Sequence, residues 1–173
     1  DIFPQDIRRA LLNVISNGFY AATRRRAEIN GGDYEPTLTA STKNLGDRVE
    51  IRIRDNGTGI VPAVRDKMFN PFFTTKPTGE GTGLASSISH DIIVKQHAGS
   101  IEVDTQLGEF TEIRVILPDL PRSSDAAQMS AFARKHSAAR FFASAICAAV
   151  TWLRTTARVF PVVEFGVQPI EID

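Results

Sequence analysis

Residues Lys76–Asp91 read KPTGEGTGLASSISHD. Gly79, Gly81 and Gly83 stand at alternate positions, and the segment behind them, SSISHDIIVKQHAG, reads as a helix ended by Gly99. A glycine-rich loop opening a helix is a phosphate-binding arrangement, because bare backbone N–H groups and the positive end of the helix face one point. The chain contains no Gly-Lys pair, so this is not a P-loop. Ser86 stands where a dinucleotide-binding fingerprint needs glycine, and no strand directly precedes the loop. The protein-kinase glycine loop fails at the same place. Taken alone, the run reads as well as a flexible turn.

Upstream, Asn70–Gly83 (NPFFTTKPTGEGTG) forms a long loop with two prolines and three glycines. Loops of that length are functional or disordered more often than incidental. Phe69, Phe72 and Phe73 would anchor one end, and Thr74, Thr75 and Lys76 are placed to reach an anion. A hydrophobic anchor for an ordinary loop is the alternative. VPAVRDKMF, just before it, reads as a short helix.

Earlier still, TLTAST (37–42) and VEIRIRD (49–55) read as strands joined by a hairpin-like link, KNLGDR. In the second, Val49, Ile51 and Ile53 alternate with charged residues, so one face is buried and the other solvated. That strand runs into Asp55-Asn56-Gly57-Thr58-Gly59. A carboxylate at a strand end accepts a hydrogen bond from an exocyclic amine such as that of adenine, and Gly57 and Gly59 let backbone approach a flat ring. Asp-Asn-Gly is also ordinary turn chemistry. The 6–26 segment reads as a helix, with Ile7, Ala10, Leu11, Val14, Ile15, Phe19 and Ala22 at spacings of three and four, Asp6 as its N-cap, and Arg24–Arg26 at its cationic end. It carries Asn13 and Asn17, poor helix formers one turn apart on one face. An amide oxygen is a hard ligand suited to Mg²⁺; two solvent-facing asparagines are the plain alternative.

Downstream, SIEVDT and FTEIRVIL read as two further strands linked by QLGE. The fold class that follows is α/β (α+β): a two-layer sandwich with helices on one face of a mixed, mostly antiparallel sheet. Residues 1–121 form this domain. Residues 122–173 form an alanine-rich tail, helical over AQMSAFARKHSAARFFASAICAAVTWLR, with VFPVVEFGVQPIEID able to supply a short strand. The apolar run FFASAICAAVTWL, of 13 residues, is short for a membrane span.

Lys+Arg and Asp+Glu both number 20, so the chain lacks the basic excess of a nucleic-acid binder. Its single cysteine, Cys147, forms no internal disulfide or metal cluster and fits a reducing compartment. The first residues, DIFPQD, show neither initiator Met nor a signal pattern and read as part of something longer.

Together the segments resemble, in order and spacing, the four ATP-binding boxes of sensor histidine kinases, within the gyrase, heat-shock ATPase, histidine kinase and mismatch-repair ATPase superfamily (the Bergerat fold). LLNVISNGFYAA resembles the asparagine box, DNGTGI the first glycine box, MFNPFFTTK the phenylalanine box and GEGTGL the second glycine box; QHAGSIEV and FTEIRVILP resemble the closing strands. The resemblance covers residues 3–118. It implies ATP and Mg²⁺ as cofactors, Asn17 as metal ligand and Asn13 near the metal and phosphates, both in the catalytic set. It implies Asp55 on the adenine amino group, with Gly57 and Gly59 shaping that pocket and Phe69 beside it. Residues 70–82 become an ATP lid with Lys76 as a phosphate contact, and Gly81, Thr82, Gly83 and Leu84 present the triphosphate site. Implied partners are a histidine-containing dimerisation domain, in cis or in trans, and a response-regulator receiver domain, with no nucleic acid and no membrane contact by this chain. The implied location is cytoplasmic, in or apart from a membrane-anchored sensor.

Hydrolysing relatives carry a glutamate one turn before the metal asparagine; Asn13 stands there, and asparagine is no general base. That favours phosphoryl transfer over hydrolysis by an ATPase. The chain also departs from the family. Ala85 and Ser86 replace glycine and leucine after Leu84, Gly18 replaces alanine, and Ala98 replaces glycine. If position 85 needs positive φ, alanine costs about 1 kcal/mol; if it is helical, alanine helps by as much. Ser86 would bond back to a carbonyl of the preceding turn or pay for burial. Ala85 and Ser86 are the main support for the rival reading, a degenerate docking module. His90, His97 and His136 lack the context of a phosphoacceptor and read as structural or surface residues.

Overall fold

The computed structural model describes residues 4–29, 33–118 and 162–167. Helix α1 (Pro4–Glu28) is followed by strands β1 (Thr37–Asn44) and β2 (Arg48–Asp55) and a single helical turn, α2 (Pro62–Arg65). Helix α3 (Ala85–His90) continues as π-helical turns over Asp91–Gln96, and β3 (Ser100–Gln106), β4 (Phe110–Pro118) and β5 (Val162–Val167) complete the fold.

The sheet order is β3-β4-β2-β1-β5, antiparallel throughout except for the parallel β1–β5 pair. This is the expected two-layer, mostly antiparallel α/β fold. The strand expected near the C-terminus is Val162–Val167, in register with Thr37–Thr42. It forms the edge of the sheet beside β1. The alanine-rich segment, with Cys147 and His136, lies outside the described residues.

The period-two pattern of β2 does what it must. Val49, Ile51 and Ile53 are buried, together with Leu38 and Ala40 of β1 and Val115 and Leu117 of β4. Ile7, Leu11, Val14 and Ile15 of α1 and Ile92 and Ile93 of the α3 segment join them in one core. Each such aliphatic side chain contributes about 2 kcal/mol by leaving water. The opposite face of the sheet is charged: Arg52 pairs with Glu50 at 2.7 Å and Arg114 with Glu102 at 3.0 Å.

Two local expectations are corrected. Asp6 is not the N-cap of α1, because the helix already begins at Pro4; Asp6 lies in its first turn, where proline starts a helix at no hydrogen-bond cost and an acid suits the dipole. The helix after the glycine loop is not regular α to its end. Its second half widens into π turns, with His97 Nδ1 2.7 Å from the Ile92 carbonyl and Gly99 N–H donating to the Ile93 carbonyl at 2.9 Å. Ala98, between them, is forced to φ +50°, a left-handed conformation that glycine adopts freely and alanine does not. Its departure from glycine therefore matters more than its small size suggests.

Candidate functional site

Asp55 closes β2 with only 6% of its surface exposed. Its Oδ1 accepts the Gly57 N–H at 2.9 Å. The turn is clamped from outside by Asn56. That side chain donates to the Glu35 carbonyl at 2.8 Å and accepts from Tyr34 at 2.8 Å and from the Thr37 amide at 2.9 Å, while Arg25 caps the Asn56 carbonyl at 2.7 Å. Bare backbone at two positions lets α1 sit close. A Cβ on Gly57 would lie 2.7 Å from that of Ala21, and one on Gly18 would lie 3.3 Å from Asp55 Oδ2. Burial pushes the Asp55 carboxyl up to about 6, against the opposing pull of the Gly57 N–H and the Arg54 charge.

Beside Asp55 lies an apolar cavity of about 80 Å³, walled by Val14, Ile53, Ile60, Met68 and Phe69. Phe69 is held by His90, whose ring centroid is 5.1 Å away. A second cavity of about 170 Å³, lined by Tyr20, Thr58, Gly59, Thr74 and Lys76, adjoins it through Asn17, Ala21 and Ile60. A third, of about 350 Å³, is lined by Asn13, Asn17, Lys76, Gly81 and Thr82. Asn17 borders all three, so they form one groove along α1. One end is an apolar slot with a single buried carboxylate, which suits a flat base bearing an exocyclic amine. The other end is polar and open, with a cation in it.

That cation is Lys76. Its ammonium donates to Asn17 Oδ1 at 3.1 Å and lies 4.3 Å from the centre of the Tyr20 ring. Burial lowers its pKa, and the charge of Glu80 opposes that. Asn13 is turned toward α3, donating to the Ala85 carbonyl at 3.3 Å and to Ser89 Oγ at 3.2 Å.

Residues 3–121 match the family of histidine kinase-, DNA gyrase B- and HSP90-like ATPases. The chain belongs to that family. ATP is the nucleotide that membership in this ATPase family supports. Over 123 residues the chain is 34% identical to the sensor histidine kinase ZraS of Salmonella typhi, a match covering 70% of this chain and 24% of ZraS. It is 46% identical over 74 residues to the sensor kinase CckA of Brucella abortus, covering 43% of this chain and 8% of CckA. The chain thus spans about a quarter or less of these relatives. Among solved structures, the catalytic domain of the histidine kinase ThkA superposes with a TM-score of 0.53 at 25% identity, covering 66% of each chain. A mycobacterial sensor histidine kinase, MprB, superposes with a TM-score of 0.50 at 27% identity, covering 64% of this chain and 68% of that one.

Within this ATPase-family fold, Asn13, Asn17, Asp55, Gly59, Phe69, Lys76, Gly81 and Thr82 border the groove. Gly57, Gly83 and Leu84 do not line it; they shape its frame. Gly57 carries α1 and orients Asp55. Gly83, at φ +69°, lies against the backbone of Phe72, and the Leu84 carbonyl accepts the Ile88 amide at 2.9 Å. Ala85 is the first residue of α3 and needs no positive φ, so the methyl there is compatible with the fold. Of the two alternatives for Ser86, the bond back to the preceding turn is not made; Ser87 makes it instead, to the Leu84 carbonyl at 3.0 Å. Ser86 instead borders the groove and receives a long hydrogen bond, 3.5 Å, from Asn17 Nδ2. His97 is buried and His90 packs on Phe69, in keeping with structural roles. The sequence reading missed Tyr20, Ile60 and Met68, although Tyr20 follows Asn17 at helical spacing on the same face.

Among the described residues no cluster of three or more His, Cys, Asp or Glu is disposed to hold a metal. No helix there is long and apolar enough to cross a membrane.

Proposed function

We propose that this chain is the catalytic, ATP-binding part of a sensor histidine kinase, delivering the γ-phosphoryl of ATP to a histidine of a dimerisation domain, in cis or in trans. Adenine enters the apolar slot with its amine on Asp55. The ribose crosses the middle of the groove, and the triphosphate lies at Asn17, Lys76 and the Gly81–Leu84 turn. Residues 70–82 act as its lid. The residues present fit a Mg²⁺ ion: Asn17 Oδ1 already carries a cationic group, the Lys76 ammonium, and is the hard oxygen a metal shared with phosphate would take. When bound, the ion supplies charge neutralisation at the phosphates.

Phosphoryl transfer to histidine forms a P–N bond as the bond from the γ-phosphorus to the bridging oxygen breaks and ADP departs. It needs alignment and charge compensation rather than an activated water. The observation that carries this reading is Asn13. An amide sits where a hydrolysing relative needs a base, and its N–H₂ is spent on Ala85 and Ser89. Two rivals from the same features, a hydrolysing ATPase and a non-catalytic docking module, have less support: the first lacks a base at position 13, and the second rested on Ala85 and Ser86, which the fold accommodates. The phosphorylated histidine would pass the group to a receiver domain of a response regulator, and the setting would be cytoplasmic. Residues 1–121 would act as the unit, with residues 122–173 as an appended tail whose strand completes the sheet.

The test is radiolabelled ATP added to the full chain with a purified histidine-containing dimerisation domain of a sensor kinase relative. Label on the acceptor domain, absent when its histidine is replaced, supports the proposal. Release of inorganic phosphate as the dominant product, with an unlabelled acceptor, contradicts it.

A further inference from the structure

Among the described residues Lys76 is the one cation lining the polar end of the groove, yet it grows from a lid segment rich in glycine and proline. A lysine has four rotatable side-chain bonds, and a lid of this composition does not hold one still. Something on the rigid side of the groove must. Tyr20 lies on α1, one turn beyond Asn17, half buried at the mouth of the middle cavity. Its ring face receives the Lys76 ammonium at 4.3 Å from the ring centre. Its hydroxyl donates to Glu80 Oε2 at 3.1 Å. Glu80 closes the lid turn by donating its amide to the Pro77 carbonyl at 3.0 Å. One side chain of α1 therefore holds both ends of the lid turn, and the ammonium it carries is the one bonded to Asn17 Oδ1 at 3.1 Å.

We propose that Tyr20 is a positioning residue for phosphate recognition: its ring holds the Lys76 ammonium at the polar end of the groove while its hydroxyl ties down Glu80 and the lid turn. The inference rests on the reading that this end of the groove takes the triphosphate. Tyr20 touches lid and lysine and is absent from the apolar slot that takes the base, so its effect falls on phosphate-bearing ligands and not on the free base. The ring does the larger share of the work, since a cation is drawn to the face of an aromatic ring whether or not it carries a hydroxyl. The anion of Glu80, kept close by the hydroxyl, helps to keep the half-buried ammonium charged.

The test compares ATP with Mg²⁺, and adenine, as ligands of the full chain and of Tyr20→Leu, Tyr20→Phe, Lys76→Met and the Tyr20→Leu/Lys76→Met pair. Tyr20→Leu is expected to weaken ATP by about tenfold, the scale of a partly desolvated cation–π contact, and to leave adenine unchanged. Tyr20→Phe should retain most of the ATP affinity. The double variant should bind ATP no more weakly than Lys76→Met alone, because both changes act through one ammonium. Equal losses for ATP and adenine, no loss for either, or additive losses in the double variant would overturn the role of Tyr20 while leaving the groove assignment standing. A folded parent chain that binds neither ligand would overturn both. Should Tyr20→Leu fail to fold, the Tyr20→Phe and Lys76→Met comparison decides. A phenylalanine variant as weak for ATP as Lys76→Met contradicts the ring-based account.

Discussion

The Asn13 amide donates to Ser89 Oγ at 3.2 Å, a contact across 76 residues of sequence that joins the first helix to the helix after the glycine loop. Ser89 is itself buried and bonds the Ala10 and Ala85 carbonyls, so the two helices share one small polar knot beside the polar end of the groove.

Removing the amide should loosen that knot without orphaning its members. Asn13→Ala leaves Ser89 Oγ and the Ala85 carbonyl still bonded to each other at 2.8 Å. The expected cost is therefore about 2 kcal/mol of unfolding free energy, the net value of the two hydrogen bonds lost, without the larger penalty of a stranded buried group. Urea unfolding of parent and variant measures it. A loss above about 3 kcal/mol would mean the knot does more than the geometry indicates.

Asp55 makes stability depend on pH in a direction opposite to that of most carboxylates. Its folded pKa, about 6, lies above the unfolded value of 3.8. As pH falls from 7 toward 4 the folded state takes up this proton first, so Asp55 destabilises the fold at neutral pH and is relieved on acidification. The penalty at pH 7 is on the order of 3 kcal/mol. Asp55→Asn should be more stable than the parent at pH 7.5, with the gap narrowing at pH 5. Urea melts at the two pH values read the difference; a gap that widens on acidification contradicts the raised pKa.

Ala85 was ambiguous as sequence and is not ambiguous as structure. It starts α3 with ordinary helical geometry. Restoring glycine there should cost up to about 1 kcal/mol in helix stability and bring no gain in ATP affinity. Thermal melts and an ATP titration of Ala85→Gly check both halves.

Ala98 is the reverse case. At φ +50° its methyl is carried in a conformation that costs alanine but not glycine. Ala98→Gly is expected to stabilise the chain by about 1 kcal/mol, read as a raised midpoint in urea. A lowered midpoint would show that the unfolded-state entropy of glycine outweighs the relieved strain.

Neither alanine was legible in the sequence, because each depends on a backbone conformation that no local pattern announces. The groove was legible because each of its boxes is a local demand on backbone or side-chain type: a carboxylate at a strand end, bare backbone at Gly57 where α1 passes, asparagines on one helical face. The period-two pattern of β2 and the three-four pattern of α1 fixed the two layers for the same reason. What escaped depends on residues distant in sequence. The φ of Ala98 follows from the π turns before it, which no periodicity announces. Tyr20 has its partners only because the loop carrying Lys76 and Glu80 lies against α1, and Met68 and Ile60 become groove walls only once the turn after Asp55 is seated. The parallel pairing of Val162–Val167 with β1 joins segments more than 100 residues apart in sequence, so the short apolar run announced a strand but not its neighbour.

The most direct test of the groove assignment is a calorimetric titration of ATP with Mg²⁺ into the full chain, beside Asn17→Ala and Asp55→Asn. The account predicts saturable binding by the parent, in the micromolar to millimolar range, that both variants lose while remaining folded. A well-folded parent chain that binds no ATP, or variants that bind as tightly as the parent, would contradict it.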